Sequence, residues 1–231
     1  MHAMAGRTAV VLVSGGLDSA VVLAWMQREG FDCVALTIDY GQRHHAELEC
    51  ARRLVDQARV REHLVQQIDL RAVGGSALTG SDAVPKDGAS HGIPITYVPA
   101  RNTLFLSLAL GLAEARGARD IALGINAVDY SGYPDCRPAF LESFAATANL
   151  ATRAGVEAAQ RGGLAFRFHA PLLNLSKPQI IRLGSELGVD FARTSSCYDP
   201  QRDGSACGQC DSCRIRAAGF ASAGLADPRM R

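Results

Sequence analysis

Four cysteines stand close together near the end of the chain: Cys197 is followed by nine residues and Cys207, then by two residues before Cys210 and two more before Cys213. Four thiolates at such intervals can close a tetrahedron around Zn²⁺, the short gaps turning as knuckles and the longer one bringing in the remaining ligand. A four-sulfur site keeps no open position, so its expected role is structural. Sulfur alone does not choose the metal, and an iron–sulfur centre uses the same ligands. A redox Cys-x-x-Cys pair fits less well, because the pairs overlap and lie outside a strand-to-helix context. Near the other end, Ser14-Gly15-Gly16-Leu17-Asp18-Ser19 follows the β-branched run Ala9 to Val13. Two glycines let the backbone approach an anion, successive N–H groups can turn inward, and a helix N-terminus adds a favourable dipole. The Ser14 and Ser19 hydroxyls are donors for phosphate, and Asp18 suits a helix cap or a Mg²⁺ ligand. The run is neither a Walker loop nor a dinucleotide fingerprint; a plain Gly-rich turn with a capping Asp is the competing reading.

Such groups need a scaffold. Ala9 to Val13 reads as a strand, Ala20 to Met26 as a buried helix ending at Gly30, Phe31 to Ile38 as a strand, His45 to Arg59 as an amphipathic helix and Glu62 to Ile68 as a third strand. Leu70 to Gly92 has loop composition and is the expected mobile segment. Arg101 to Arg116, apolar on nearly every face, predicts a buried helix. Asp120 to Ile125 predicts a strand, Asn126 to Pro138 an irregular stretch, Pro138 to Arg153 a helix and Leu164 to His169 a strand. Ser176 to Leu187 predicts a helix, with Ser176 and Gln179 as a capping box. Alternating strands and helices with near-continuous apolar strands imply an α/β fold, a doubly wound parallel sheet covered on both faces. Its ligands belong beyond the carboxyl ends of the strands at the switch point. Asp39, Tyr40, Gly41, Gln42, Arg43 and His44 fall there, polar where a connector needs only a turn.

The 231 residues suit one α/β domain over 1–193 with a C-terminal Cys₄ segment and helix over 194–231. Lys and Arg number 24 against 23 Asp and Glu, a net charge of +1 that gives no support to a nucleic-acid surface or polybasic membrane patch. Leu104 to Ala115, the longest apolar stretch, is too short and too interrupted to span a bilayer. Met1 to Val13 does not read as a signal peptide, so the expected location is cytoplasmic. The odd total of seven cysteines argues against a disulfide framework, and Cys33 and Cys50 fall on packing positions.

The Ser14 to Ser19 run resembles the pyrophosphate loop of the N-type ATP pyrophosphatases. Together with Asp39 to His44, Arg101-Asn102, Asp129-Tyr130-Ser131-Gly132-Tyr133-Pro134-Asp135-Cys136-Arg137, and Thr194-Ser195-Ser196 before Cys197, it resembles the 7-cyano-7-deazaguanine synthase family over almost the whole chain. The resemblance implies a ligase that converts 7-carboxy-7-deazaguanine, ammonium and ATP to a nitrile through an amide, each oxygen being activated before it leaves. It implies ATP binding by Leu12, Val13, Ser14, Gly15, Gly16, Leu17, Asp18, Ser19 and Asp39, with Mg²⁺, and catalytic roles for Asp18, Arg101 and Lys177. Substrate contacts fall to Tyr40, Gln42, Asn102, Asp129, Tyr133 and Asp135, and structural Zn²⁺ to Cys197, Cys207, Cys210 and Cys213. Plainer readings stand beside these: a solvated Lys177, helix-capping Arg101 and Asn102, and a Gly/Pro turn around Asp129 to Asp135. A homodimer is implied by the resemblance alone, and no glutaminase-like domain fits the length. A tRNA-thiolating ATP pyrophosphatase or a non-catalytic nucleotide-binding module with a zinc knob are the competing functions.

Overall fold

The computed structural model describes residues 7–43, 45–86 and 92–229, with the side chains of residues 129–131 outside that description. Five strands, β1 (Arg7–Leu12), β2 (Phe31–Asp39), β3 (Glu62–Gln67), β4 (Asp120–Ala122) and β5 (Arg167–His169), pair in the order β3-β2-β1-β4-β5, every pairing parallel. The central strand β1 serves two cores with alternate residues. Ala9, Val11 and Val13 pack with residues of α1 (Leu17–Arg28), α2 (Ala46–Ala58), α7 (Lys177–Glu186) and α8 (Asp211–Ala223). Val10 packs on the other face with residues of α3 (Arg101–Ala115) and α5 (Pro138–Ala151). Apolar residues on both faces are what a parallel sheet enclosed by helices requires, and the doubly wound α/β fold expected from the sequence is the one observed.

The strand order reverses between β1 and β4, which opens a crevice at their carboxyl ends. Gly30 takes a left-handed φ of 81° after α1, and the Gln179 side chain accepts the Ser176 N–H at 2.9 Å, forming the expected capping box of α7.

Local expectations differ in several places, the strands expected over Asp120 to Ile125 and Leu164 to His169 being only three residues each. The stretch read as irregular carries α4 (Ala127–Gly132) and a 3₁₀ turn at Pro134–Cys136. Its Gly and Pro content masks two single turns. The fifth helix does not run through to Arg153, because Thr152 is extended and its hydroxyl accepts the Gly155 N–H, starting the separate α6 (Arg153–Ala159). Helix α3 is not enclosed: it buries Leu106, Ala109 and Ala113 but leaves Leu104 40% exposed. An all-round apolar helix carries no periodicity to say which face meets the sheet. The described part of the long loop is anchored, with Ala77, Leu78 and Val84 buried and Arg43 donating to the Asp82 carbonyl at 2.7 Å. Its residues 87–91 lie outside the described residues. No helix among the described residues is long and apolar enough to cross a membrane.

The C-terminal segment is tied down by one buried arginine. Arg216 of α8 pairs with both oxygens of Asp227 at 2.7 and 2.9 Å and donates to Thr194 Oγ1 and the Phe191 carbonyl. Both ionic side chains are at most 6% exposed. Removing one member of such a pair leaves a desolvated charge, so Arg216→Met is expected to lower unfolding stability by about 3–5 kcal/mol. A urea midpoint unchanged from that of the native chain would contradict this bracing.

Candidate active site

The loop after β1 is built mostly from its own atoms. Val13 is fastened to β2 through its N–H to the Leu36 carbonyl and through Thr37 Oγ1, which donates to the Val13 carbonyl at 2.7 Å. Gly15 then turns with φ of 91°, a conformation open to glycine at little cost. A Cβ there would stand 2.1 Å from the Glu47 carbonyl oxygen, and the Gly15 carbonyl accepts the Ser195 N–H at 2.9 Å. Ser19 Oγ donates to the Gly16 carbonyl and accepts the Ser14 N–H, while Ser14 Oγ accepts the Gly16 N–H. The two hydroxyls expected to face phosphate therefore first shape the loop. No side chain caps α1 among the described residues, so its first N–H groups remain for an anion at the crevice.

Asp18 stands one residue inside α1 rather than at its cap, which is Gly16. Both its oxygens accept from Lys177 Nζ, at 2.9 and 2.8 Å, and Oδ2 also accepts from Asn126 Nδ2. Lys177 is no solvated helix lysine: its side chain is 14% exposed. Helix α8 presses on its stem at Gly219, where a Cβ would come within 2.6 Å of Lys177 Cγ.

Across the cavity, Arg101 opens α3. The preceding Ala100 is held in a left-handed conformation, φ 54°, with its N–H donating to Tyr97 Oη. Such a conformation costs a non-glycine residue about 1–2 kcal/mol. The next N–H, of Asn102, donates to Asp135 Oδ2 at 2.8 Å, and Asn102 Nδ2 donates to the Asp135 carbonyl and Cys136 Sγ. The Arg101 guanidinium lies 5.9 Å from the centre of the Tyr40 ring and 5.8 Å from that of Phe105, within cation–π range. Burial works against its charge, but Tyr40, Cys136, Tyr198 and Asp135 hold its pKa above the ordinary arginine value. Glu47, on the first turn of α2, also faces the cavity. Burial pushes its carboxyl up to about 7, with Arg101 pulling the other way. Tyr133 stacks on Tyr97 at 6.2 Å and shares a 2.9 Å hydrogen bond with Thr96.

Of the residues singled out from the sequence, Leu12, Val13, Ser14, Gly16, Leu17, Asp18, Ser19, Tyr40, Gln42, Arg101, Asn102 and Tyr133 line this one cavity. Gly15 backs the loop against α2, and Lys177 meets the cavity through Asp18. Asp39 and Asp135 do not reach the wall. Their carboxylates accept backbone N–H groups, Asp39 from Gly41 and Asp135 from Asn102, so they shape a turn and a helix start. The side chain of Asp129 lies outside the described residues. Sequence reasoning missed Glu47, Phe105, Thr96 and Tyr198, all on the wall. The Thr194-Ser195-Ser196 run was the one available hint that the C-terminal segment reaches the loop.

The four C-terminal sulfurs lie within 4.8 Å of one another. Cys197 and Cys210 are 4.0 Å apart, as are Cys207 and Cys213. A tetrahedron with metal–sulfur bonds of about 2.3 Å has edges of about 3.8 Å, so the cluster is compatible with zinc. The Cys207 N–H donates to Cys197 Sγ, and the Gln209 and Cys210 N–H groups donate to Cys207 Sγ. Backbone donors aimed at sulfur fix the orientation of the ligand atoms, as the surroundings of metal sites do.

A parallel α/β sheet with a Ser-Gly-Gly-Leu-Asp-Ser loop at its switch point defines a nucleotide-binding protein of the ATP pyrophosphatase, or PP-loop, class. Its fold resembles that of NMN synthetase from Francisella tularensis, with a TM-score of 0.53 at 18% identity over 96% of this chain and 79% of that one. Within that class, the chain belongs to the QueC family, whose model, described as queuosine biosynthesis protein QueC, matches residues 8–224. It is 60% identical to the 7-cyano-7-deazaguanine synthase of Stutzerimonas stutzeri over 96% of this chain and 97% of the relative. Identity to the protein of the same name from Geobacter sulfurreducens is 59%, over 96% of this chain and 92% of that protein.

The sulfur geometry predicts close to one equivalent of tightly held metal per purified chain by elemental analysis. Cys210→Ser should lose it and lower the melting temperature by several degrees, about 2–4 °C for each kcal/mol lost. Folded native protein with substoichiometric metal would contradict the assignment.

Proposed function

We propose that this protein converts 7-carboxy-7-deazaguanine to 7-cyano-7-deazaguanine with ATP and free ammonium, acting in the cytoplasm as a homodimer. The observation that carries the reading is the single cavity that joins the phosphate-type loop to Arg101 and an aromatic wall. Carboxylate and amide oxygens are poor leaving groups. Attack of each on the α-phosphorus of ATP makes an adenylate, and the oxygen later departs on AMP. Ammonia displaces the first and gives the amide. Loss of protons from the amide nitrogen expels the second and gives the nitrile, so two ATP are used per nitrile.

In this reading the Leu12 to Ser19 segment holds the ATP phosphates. Asp18, whose carboxylate is already paired with Lys177, would also share in holding the Mg²⁺ that accompanies ATP, which would shield phosphate charge. Lys177, held beside it, stabilises charge that develops on the departing phosphate. Arg101, with a planar fork suited to oxyanions, orients the substrate carboxylate. Tyr40, Gln42, Asn102 and Tyr133 contact the deazaguanine, whose flat ring suits an aromatic wall. The Cys₄ segment of 194–231, holding Zn²⁺, braces the 1–193 body by fastening Ser195 to Gly15. The homodimer rests on the family resemblance alone.

Mass spectrometry of a reaction containing the carboxylate, ammonium and ATP should show the nitrile and AMP. ATP binding without nitrile would sink the proposal, and ADP in place of AMP would sink its adenylate chemistry. Lys177→Met should lower kcat by about 10²–10³-fold, the usual cost of removing one preorganised donor to a developing charge.

A further inference from the structure

Among the described residues, two carboxylates line the cavity, Asp18 and Glu47. Asp18 is committed to Lys177. Glu47 is not: no hydrogen bond or ion pair among the described residues reaches its carboxylate. Its place is nevertheless fixed. The backbone of Glu47 lies against Gly15 with no room for a Cβ between them, so the first turn of α2 cannot slide relative to the phosphate-type loop. A small chamber of about 50 Å³ opens beside the main cavity, and Glu47 borders both. A water needs only about 10–15 Å³ of such space, so a molecule of the size of water or ammonia fits. Tyr40 and Tyr198 border the same chamber, and so do Arg43 and Arg101, whose positive charges favour neutral ammonia over ammonium there.

We propose that Glu47 is the proton acceptor that turns ammonium into the attacking nucleophile. This rests on the nitrile-forming reading above. The Glu47 carboxylate takes one proton from ammonium and becomes a carboxylic acid. The freed nitrogen lone pair forms the C–N bond at the activated carboxyl carbon, the C–O bond to AMP breaks with its electron pair leaving on the phosphate oxygen, and the remaining surplus proton on nitrogen passes to water. Arg101 fits this role as well as its own: a guanidinium beside the carbon favours the substrate carboxylate and disfavours a lingering ammonium cation, but leaves neutral ammonia unaffected. A carboxyl whose protonation is balanced near neutral pH is the kind a base at this step needs.

The test compares two nitrogen nucleophiles. Hydroxylamine is uncharged at neutral pH and needs no prior deprotonation; with the activated carboxyl it gives a hydroxamate, read by its iron(III) colour. Glu47→Gln should lower kcat/KM for ammonium by about 10²-fold, a typical contribution of general base catalysis, with much smaller changes in the hydroxylamine rate and in KM for ATP. Glu47→Asp should recover part of the ammonium-dependent rate. Equal losses with both nucleophiles, or an ammonium response in Glu47→Gln like that of the native chain, would overturn the role. Failure of the native chain to make nitrile from any nitrogen source would instead overturn the functional reading, and this step with it.

Discussion

The site is organised around the close approach at Gly15. Its positive φ and missing side chain let the loop turn directly against the first turn of α2, where any Cβ would collide with the Glu47 carbonyl. Its own carbonyl holds the Ser195 N–H. One glycine thus joins three parts of the chain that are remote in sequence: the loop after the central strand, the helix after β2, and the segment leading into the Cys₄ cluster. Because packed backbones of this kind deform little, the side chains these segments present to the crevice are fixed relative to one another.

Charge follows the same plan. The cavity has a cation near each end, Lys177 behind the loop and Arg101 at the start of α3, and each lies near a carboxylate, Asp18 and Glu47. The two pairs differ in kind. Lys177 and Asp18 are in direct contact and mostly buried, an arrangement that holds the lysine Nζ in one place. Arg101 and Glu47 interact through the cavity, which leaves the carboxylate available to an incoming molecule. The strained Ala100 backbone and the Asp135 carboxylate bonded to the Asn102 N–H hold Arg101 where it is. Strain of this sort concentrates at sites where position matters more than local stability.

Local sequence carried the fold and the two ends of the chemistry. The strand, Ser-Gly-Gly turn and helix at Val10 to Met26, and the spacing of the four cysteines, are readable because backbone conformation and ligand spacing are local properties. Asp39 and Asp135 show what is not local. Both belong to polar runs beside the crevice, yet each spends its carboxylate on a nearby backbone N–H, and nothing in residue type says which way an Asp will turn. Glu47 is the converse. It sits in a helix with Glu49, Arg52 and Arg53, where charge reads as a solvated face, and only the packing of α2 on Gly15 directs it inward. The outer face of α3 was illegible for a related reason: a helix apolar all round does not mark the side it buries.

The central claim is that both oxygens of the substrate carboxylate leave on AMP from this cavity. The direct measurement is a reaction with 7-carboxy-7-deazaguanine labelled with ¹⁸O at both carboxylate oxygens, followed by mass spectrometry of the nucleotide products. The account predicts two molecules of AMP per nitrile, each carrying one ¹⁸O in its phosphate. Label found in water or inorganic phosphate, with unlabelled AMP or with ADP, would contradict it.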